Sequence, residues 1–265
     1  LFVEGIDVEN WQALNESIDK PLLNRALRGT YPPGSTYKPF MALAALQLNK
    51  RPASLVVNDP GSYTFGGHTF RSHGSALGPV DMYRAIMKPS NVYFYSLAAE
   101  MGVDLIHDFM KPLGFGQLTG IDVQGEVRGV LPNQEWKRNA YKRPAQQKWY
   151  PGETISLGIG QGYNTFTMLQ LAQATAIVAN NGIKHVPRLV IGTQDTLTGA
   201  LQPVPHAPAL NLGYKPEHVA LVQRALVAVT QGGTSTRVFA GAGYLSAGKT
   251  GTAQAVTIGQ KDKYN

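Results

Sequence analysis

The chain has 265 residues, 43% of them apolar and 15% charged, a balance that excludes a disordered polymer and suits one buried core. It contains no cysteine, which excludes disulfides, thiol catalysis and thiolate metal sites, and no stretch nears the roughly 18 apolar residues of a membrane span. The net charge of +7 invites a polyanion partner. Its densest basic cluster, Lys137-Arg138, Lys142-Arg143 and Lys148 with Tyr141 and Trp149 interleaved, reads more plainly as a solvated loop, so no nucleic-acid partner is expected. Leu1 to Asp7 lacks both the basic start and the apolar run of a signal peptide. With no initiating Met either, the chain is expected to begin inside a longer protein.

In chain order, Pro32-Pro33-Gly34 is a stiff turn that delivers the backbone to Ser35. Ser35 to about Leu48 reads as a buried helix with Ser35 in its first turn. Gly61 to Arg71 alternates around Gly66-Gly67 as a hairpin does. Helices are expected over about 80–87, 91–101 and 103–112, broken at Pro89, Gly102 and Pro112, followed by a long Gly-, Pro- and charge-rich segment over about 114–154 that looks like loop with short pieces of structure. A second buried helix runs from Thr165 to Asn180 and stops at Asn181-Gly182. Val186–Gly192 and Gly199–Val204 suggest a β-ribbon turning at Thr198-Gly199. Val219, Val222, Leu226 and Val229 share one face of a helix starting near Pro216, and Leu245 to Val256 reads as a strand. The class is α+β, helix-rich with little strand.

Three short motifs carry chemistry: Ser35-Thr36-Tyr37-Lys38, Ser90-Asn91 and Lys249-Thr250-Gly251-Thr252. Residues i and i+3 share a helical face, which sets Lys38 beside Ser35. A serine hydroxyl becomes a nucleophile when a base takes its proton, and a lysine is a base only when neutral. Burial and a second cation, for which Lys249 is the candidate, both depress a lysine pKa. Backbone N–H groups at the helix start suit an oxyanion hole. Gly251 would let a substrate backbone approach, while Thr250 and Thr252 offer hydroxyls to a carboxylate. Each motif alone is weak, because Ser-x-x-Lys falls by chance on many helices. Their setting makes the case, since a Pro-Pro-Gly turn opens the first helix, Ser90-Asn91 opens another and the lysine motif comes late in the chain.

On these residues the chain resembles the penicillin-binding protein 2 family, the class B peptidoglycan D,D-transpeptidases of cell elongation in Gram-negative bacteria. The resemblance covers nearly the whole length. It includes Leu22 to Arg25, Arg28 to Pro39, Asp59-Pro60-Gly61, Gly120-Ile121-Asp122, Glu135-Trp136-Lys137, Tyr150 to Glu153, Gly158 to Tyr163 and Gly248 to Gln254. It implies helices packed on an antiparallel sheet that includes the Lys249 strand and is incomplete within 1–265. The membrane anchor and pedestal domain would precede this segment, and further strands and a helix would follow it. It implies that Ser35 attacks the penultimate D-Ala carbonyl of a stem peptide, with Lys38 as base. The Ser35 and Thr252 amides would form the oxyanion hole, and Lys249, Thr250 and Thr252 would grip the carboxylate. Implied partners are stem peptides, β-lactams and a lipid II polymerase of the rod-elongation complex, at the periplasmic face of the inner membrane.

The middle motif departs from the family's Ser-x-Asn. Aligned through Asn91, the serine position is occupied by Pro89, so either a relay hydroxyl is missing or Ser90 reaches round to replace it. Asn91 remains a candidate substrate-amide contact. A D,D-carboxypeptidase, a serine β-lactamase, and a catalytically weak scaffold or β-lactam sensor stay open as alternatives. For the β-lactamase, Glu135 and Asn139 have the spacing of a water-activating loop, although a paired carboxylate is the plainer reading of Glu135. Gly158 to Gly162 lacks the Gly-Lys-Ser/Thr sequel of a phosphate loop and reads as tight backbone packing. The histidines (His68, His73, His107, His185, His206 and His218) have no ligand spacing, and no metal or cofactor is expected. Asp59, His68 and His73 are the one grouping the hairpin could bring together.

Overall fold

The computed structural model describes residues 3–72 and 74–252. Twelve helices occur among them: α1 (Val8–Glu16), α2 (Arg25–Arg28), α3 (Lys38–Gln47), α4 (Met82–Met87), α5 (Asn91–Met101), α6 (Val103–Met110), α7 (Gln134–Ala140), α8 (Pro144–Gln147), α9 (Pro151–Leu157), α10 (Met168–Ala179), α11 (Pro216–Gln231) and α12 (Thr236–Phe239). The strands form five separate antiparallel pairs. They are β1 (Thr30–Tyr31) with β6 (Phe166–Thr167), β2 (Val57–Asp59) with β5 (Gly78–Val80), β3 (Ser62–Phe65) with β4 (His68–Arg71), β7 (Ile183–Lys184) with β10 (Leu210–Asn211), and β8 (Gly192–Gln194) with β9 (Leu201–Pro203). The architecture is α+β and helix-rich, as the sequence indicates.

At the centre lies α3, buried on every side from Lys38 to Leu46, as expected of a helix that is apolar all round. It packs against α4, α5, α6 and α11. Gly34–Tyr37 forms a 3₁₀ turn ahead of it, so Ser35 sits just before the α-helix and not inside it. The cause is Pro39, which has no N–H to give the Ser35 carbonyl an α-type bond; the Lys38 amide takes that carbonyl from three residues away. Under the turn, Tyr37 stacks on Phe166 at 5.9 Å between ring centroids and meets Phe115 edge-on at 5.3 Å. Buried Arg51 ties the end of α3 to α5, donating to the Tyr93 carbonyl (3.1 Å), Ser96 Oγ (3.1 Å) and the Glu100 carboxylate.

Two glycines hold the turn against the 158–162 run. Gly34 has φ +57° and Gly160 φ +70°, both left-handed, and the Gly34 amide donates to the Gly160 carbonyl at 3.0 Å. A Cβ on Gly160 would collide with the Gly34 carbonyl oxygen and come within 2.8 Å of Tyr37 Cβ. The run is therefore a backbone-to-backbone contact, in agreement with the packing reading.

Two expectations need correction. Residues 245–252 form no strand and pair with no sheet among the described residues, and the remainder of the expected Leu245–Val256 strand lies outside them. A short Gly-rich segment finds side chains and helix ends to bond to, and these, not a ladder, hold it here. The 114–154 segment is loop with short helical pieces, as expected: α7, α8 and the start of α9, with Pro144 and Pro151 at first-turn positions, the one place in a helix that accepts proline. The ribbon begins at Gly192 instead of Val186 because Asp122 takes the Leu189 and Val190 amides, both at 2.8 Å, and withdraws them from pairing.

Gly160→Ala is expected to lower stability by about 2 kcal/mol or more, from left-handed strain and backbone collision. Gly152→Ala, inside α9 with nothing near its Cβ position, should be neutral or slightly stabilising. Chemical denaturation of the two variants checks both.

Candidate active site

Lys38 occupies the first position of α3 and is fully buried. Its Nζ donates to Asn91 Oδ1 at 2.6 Å and to the Pro89 carbonyl at 3.3 Å, and lies 5.6 Å from the Phe94 ring centroid. Among the described residues no carboxylate pairs with it directly. Burial holds its pKa well below the ordinary lysine value, and the charge of Lys249 pushes it further down; Asp59 opposes both. Half-buried Lys249 is itself depressed to about 8 by burial. The second cation anticipated for the site therefore acts on the first.

The 245–252 segment reaches this centre by side-chain and backbone bonds on two sides. Toward α11, the Gly248 amide donates to the Leu226 carbonyl (3.1 Å), Thr230 Oγ1 to the Ser246 carbonyl (2.8 Å), and Thr234 and Thr250 share a hydroxyl contact at 2.8 Å. Toward the serine turn, a Cβ on Gly251 would lie 2.8 Å from Thr36 Cγ2. The close approach that needs glycine here is to the protein's own turn, not only to a substrate. Gln161 Nε2 donates to the Thr252 carbonyl at 3.2 Å, joining the segment to the glycine run. Among the described residues Lys249 Nζ bonds the Thr250 carbonyl, at 2.9 Å. The 35–38 turn, Asn91 and the 249–252 segment are thus brought together around Lys38, with Ser35 half-buried.

Ser90 does not reach round to replace the hydroxyl absent at Pro89. It is the N-cap of α5, accepting from the Tyr93 amide at 3.1 Å and donating to Asp59 Oδ2 at 2.5 Å. The Ser90 hydroxyl is engaged by Asp59 and the Tyr93 amide, whereas the neighbouring Pro89 carbonyl and Asn91 Oδ1 are the atoms that accept from the lysine amine. Asp59 was legible only as the start of a Pro-Gly turn or as a weak metal candidate. His73 lies outside the described residues, and no metal-holding group of His, Asp and Glu occurs among those described.

Glu135 is exposed on α7 and makes no ion pair among the described residues, against the paired-carboxylate reading. The paired carboxylate nearby is Glu153, which binds buried Lys137 at 2.5 and 2.6 Å and also takes the Tyr163 hydroxyl (2.8 Å) and the Tyr150 amide (2.9 Å). Rings of Trp149, Tyr150 and Tyr163 surround that ammonium at about 5.5 Å. Lys137 is therefore no part of a solvated basic loop. Neither spacing nor composition could show this, because the cage closes through residues 12 and more positions away.

The family model described as the penicillin binding protein transpeptidase domain matches residues 6–265. The chain belongs to that family. The domain is similar to the peptidoglycan D,D-transpeptidase MrdA of Acinetobacter baumannii, 40% identical over 268 aligned residues that cover 100% of this chain and 39% of the relative. A solved structure of Pseudomonas aeruginosa PBP2 in complex with WCK 5153 superposes with a TM-score of 0.85 at 40% identity, over 95% of this chain and 56% of that one. Helicobacter pylori PBP2, solved as a complex with MreC, gives 0.82 at 28% identity over 94% of this chain and 45% of that one. The transpeptidase domain spans about two fifths of the length of the curated relatives it matches. No helix among the described residues is long and apolar enough to cross a membrane.

A lysine depressed in the folded state is protonated in the unfolded chain but not in the folded one between its folded pKa and the ordinary value near 10.5. Unfolding takes up a proton throughout that window, so stability rises with pH across it. Denaturation of wild type and Lys38→Met from pH 7 to 10 should show the difference moving in favour of wild type, by up to about 1.4 kcal/mol per pH unit. A flat difference would mean that Lys38 is charged in the fold.

Proposed function

We propose that this domain carries the acyl-transfer centre of a peptidoglycan D,D-transpeptidase, with Ser35 as nucleophile and Lys38 as its base. The single observation that carries this reading is the setting of the Lys38 amine. It is buried with no direct carboxylate partner among the described residues, one turn from Ser35, and under the field of Lys249. A neutral amine has two N–H donors and one lone pair. Asn91 Oδ1 and the Pro89 carbonyl take the two donors, which leaves the lone pair for the serine proton.

In the proposed reaction Ser35 Oγ forms a bond to the penultimate D-Ala carbonyl carbon of a stem peptide as Lys38 accepts its proton. The oxyanion is held by the Ser35 and Thr252 amides. Collapse breaks the peptide bond, and the proton passes from Lys38 to the leaving amine of terminal D-Ala. An amine of a neighbouring stem then displaces Ser35 to give the cross-link. Lys249, Thr250 and Thr252 grip the terminal carboxylate, and Asn91 contacts the substrate amide while holding Lys38. A β-lactam would acylate the same hydroxyl.

A hydrolase needs a carboxylate to activate water beside the acyl carbonyl. Exposed Glu135 and the fully engaged Glu153 do not favour that alternative. A carboxypeptidase shares the first step and differs only in its acceptor. In the complete protein we place the domain at the periplasmic face of the inner membrane. A lipid II polymerase of the rod-elongation complex would be its partner there, in keeping with the assemblies in which related proteins have been solved.

Intact mass after benzylpenicillin tests the reading on the complete protein. One stable adduct is expected on wild type and none on Ser35→Ala; rapid loss of the adduct would instead indicate a β-lactamase. The acylation rate should follow a bell in pH, rising as Lys38 loses its proton and falling near pH 8 as Lys249 does. Lys249→Gln should abolish the alkaline limb and move the acid limb upward, because the charge that depresses Lys38 is gone.

A further inference from the structure

We propose that Asp59 is a positioning residue for acylation: through the Ser90 hydroxyl, its buried carboxylate fixes the Pro89–Asn91 turn whose two oxygens hold the Lys38 amine. The inference rests on the acyl-transfer reading above and adds to it a residue that makes no contact with the substrate.

Asp59 closes β2 and is only 1% exposed, as is Ser90. A carboxylate so placed must be satisfied by donors. Oδ1 takes the Gly61 amide at 2.8 Å and Oδ2 takes Ser90 Oγ at 2.5 Å. Hydrogen bonds to an ionised carboxylate are shorter and stronger than neutral ones. The same hydroxyl accepts the Tyr93 amide, so one atom joins the end of β2 to the first turn of α5. Pro89 and Asn91, the covalent neighbours of that residue on either side, are the two that hold Lys38. Proline at 89 has no side-chain donor to anchor the turn, and the anchor is displaced by one position to Ser90.

Asp59 also bears on how basic the amine is. Lys249 faces Lys38 from the 245–252 segment and Asp59 from the end of β2, while α5 contributes the Asn91 amide and the Phe94 ring. No other charge among the described residues acts on it. Burial and Lys249 strip the proton; Asp59 restores part of the basicity. A base that is too weak takes up the serine proton poorly, so the opposing charge keeps the amine useful.

The test is the pH dependence of the second-order acylation rate by a fluorescent penicillin on the complete protein. It compares wild type, Asp59→Asn, Ser90→Ala and Ser90→Thr. Asp59→Asn keeps the shape and removes the charge, so its acid limb should move to lower pH, by roughly half a unit or more. That direction is opposite to the Lys249→Gln shift. Ser90→Ala should reduce the plateau rate about 10-fold or more with the turn released, and Ser90→Thr should restore most of it. An Asp59→Asn limb that stays put or rises, or a Ser90→Ala plateau equal to wild type, overturns the proposal. Should Asp59→Asn fail to fold, the Ser90 pair decides alone. Wild type that forms no adduct at any pH overturns the acyl-transfer reading itself, whereas a normal wild-type profile with unresponsive variants overturns only the role of Asp59.

Discussion

Burial of one amine at the head of an all-apolar helix is the constraint from which the rest of this structure follows. An ammonium at that depth, with no bonded carboxylate among the described residues, is costly, so the balance shifts toward the neutral amine. The fold supports that outcome from several sides. Phe94 lies beside the amine, two neutral oxygens take its N–H groups, and a second lysine adds repulsion. Such a group subtracts from stability, and its place in the core accords with the chemistry proposed for it.

Around that amine the parts are assembled by close backbone approaches. Gly34 against Gly160 and Gly251 against the Thr36 side chain bring two distant stretches of chain to the serine turn. Gln161 then links the glycine run to the Thr252 carbonyl. The Lys137–Glu153 pair, wrapped in aromatic rings, braces α7 against α9 just ahead of that run. Serine turn, glycine run and lysine segment thus form one mechanical unit, and strain at any of them should be felt at Ser35.

Much of this was legible in the residues. The apolar run after Ser35, the alternation around Gly66-Gly67 and the spacing of Val219, Val222, Leu226 and Val229 each correspond to an element found in place. The approach of Lys38 and Lys249 was also inferable, because a neutral lysine base needs a reason to lose its proton. What sequence could not show depends on long-range bonding. A strand is recognisable by pattern only where a partner exists, and residues 245–252 bond instead to α11 and to Gln161 of the glycine run. Asp59 and Ser90 are 31 residues apart and share no motif. The Lys137 cage likewise arises from tertiary closure, so a cluster that looked like a basic loop conceals a buried ion pair.

The central claim is that the Lys38 amine is uncharged in the folded protein at neutral pH. Nitrogen-15 NMR of the lysine side chains in the complete protein, with Lys38→Met to assign the signal, measures this directly. The account predicts a neutral-amine resonance for Lys38 at pH 7 that becomes an ammonium only at lower pH. An ammonium resonance persisting until the solution approaches pH 10 would contradict it.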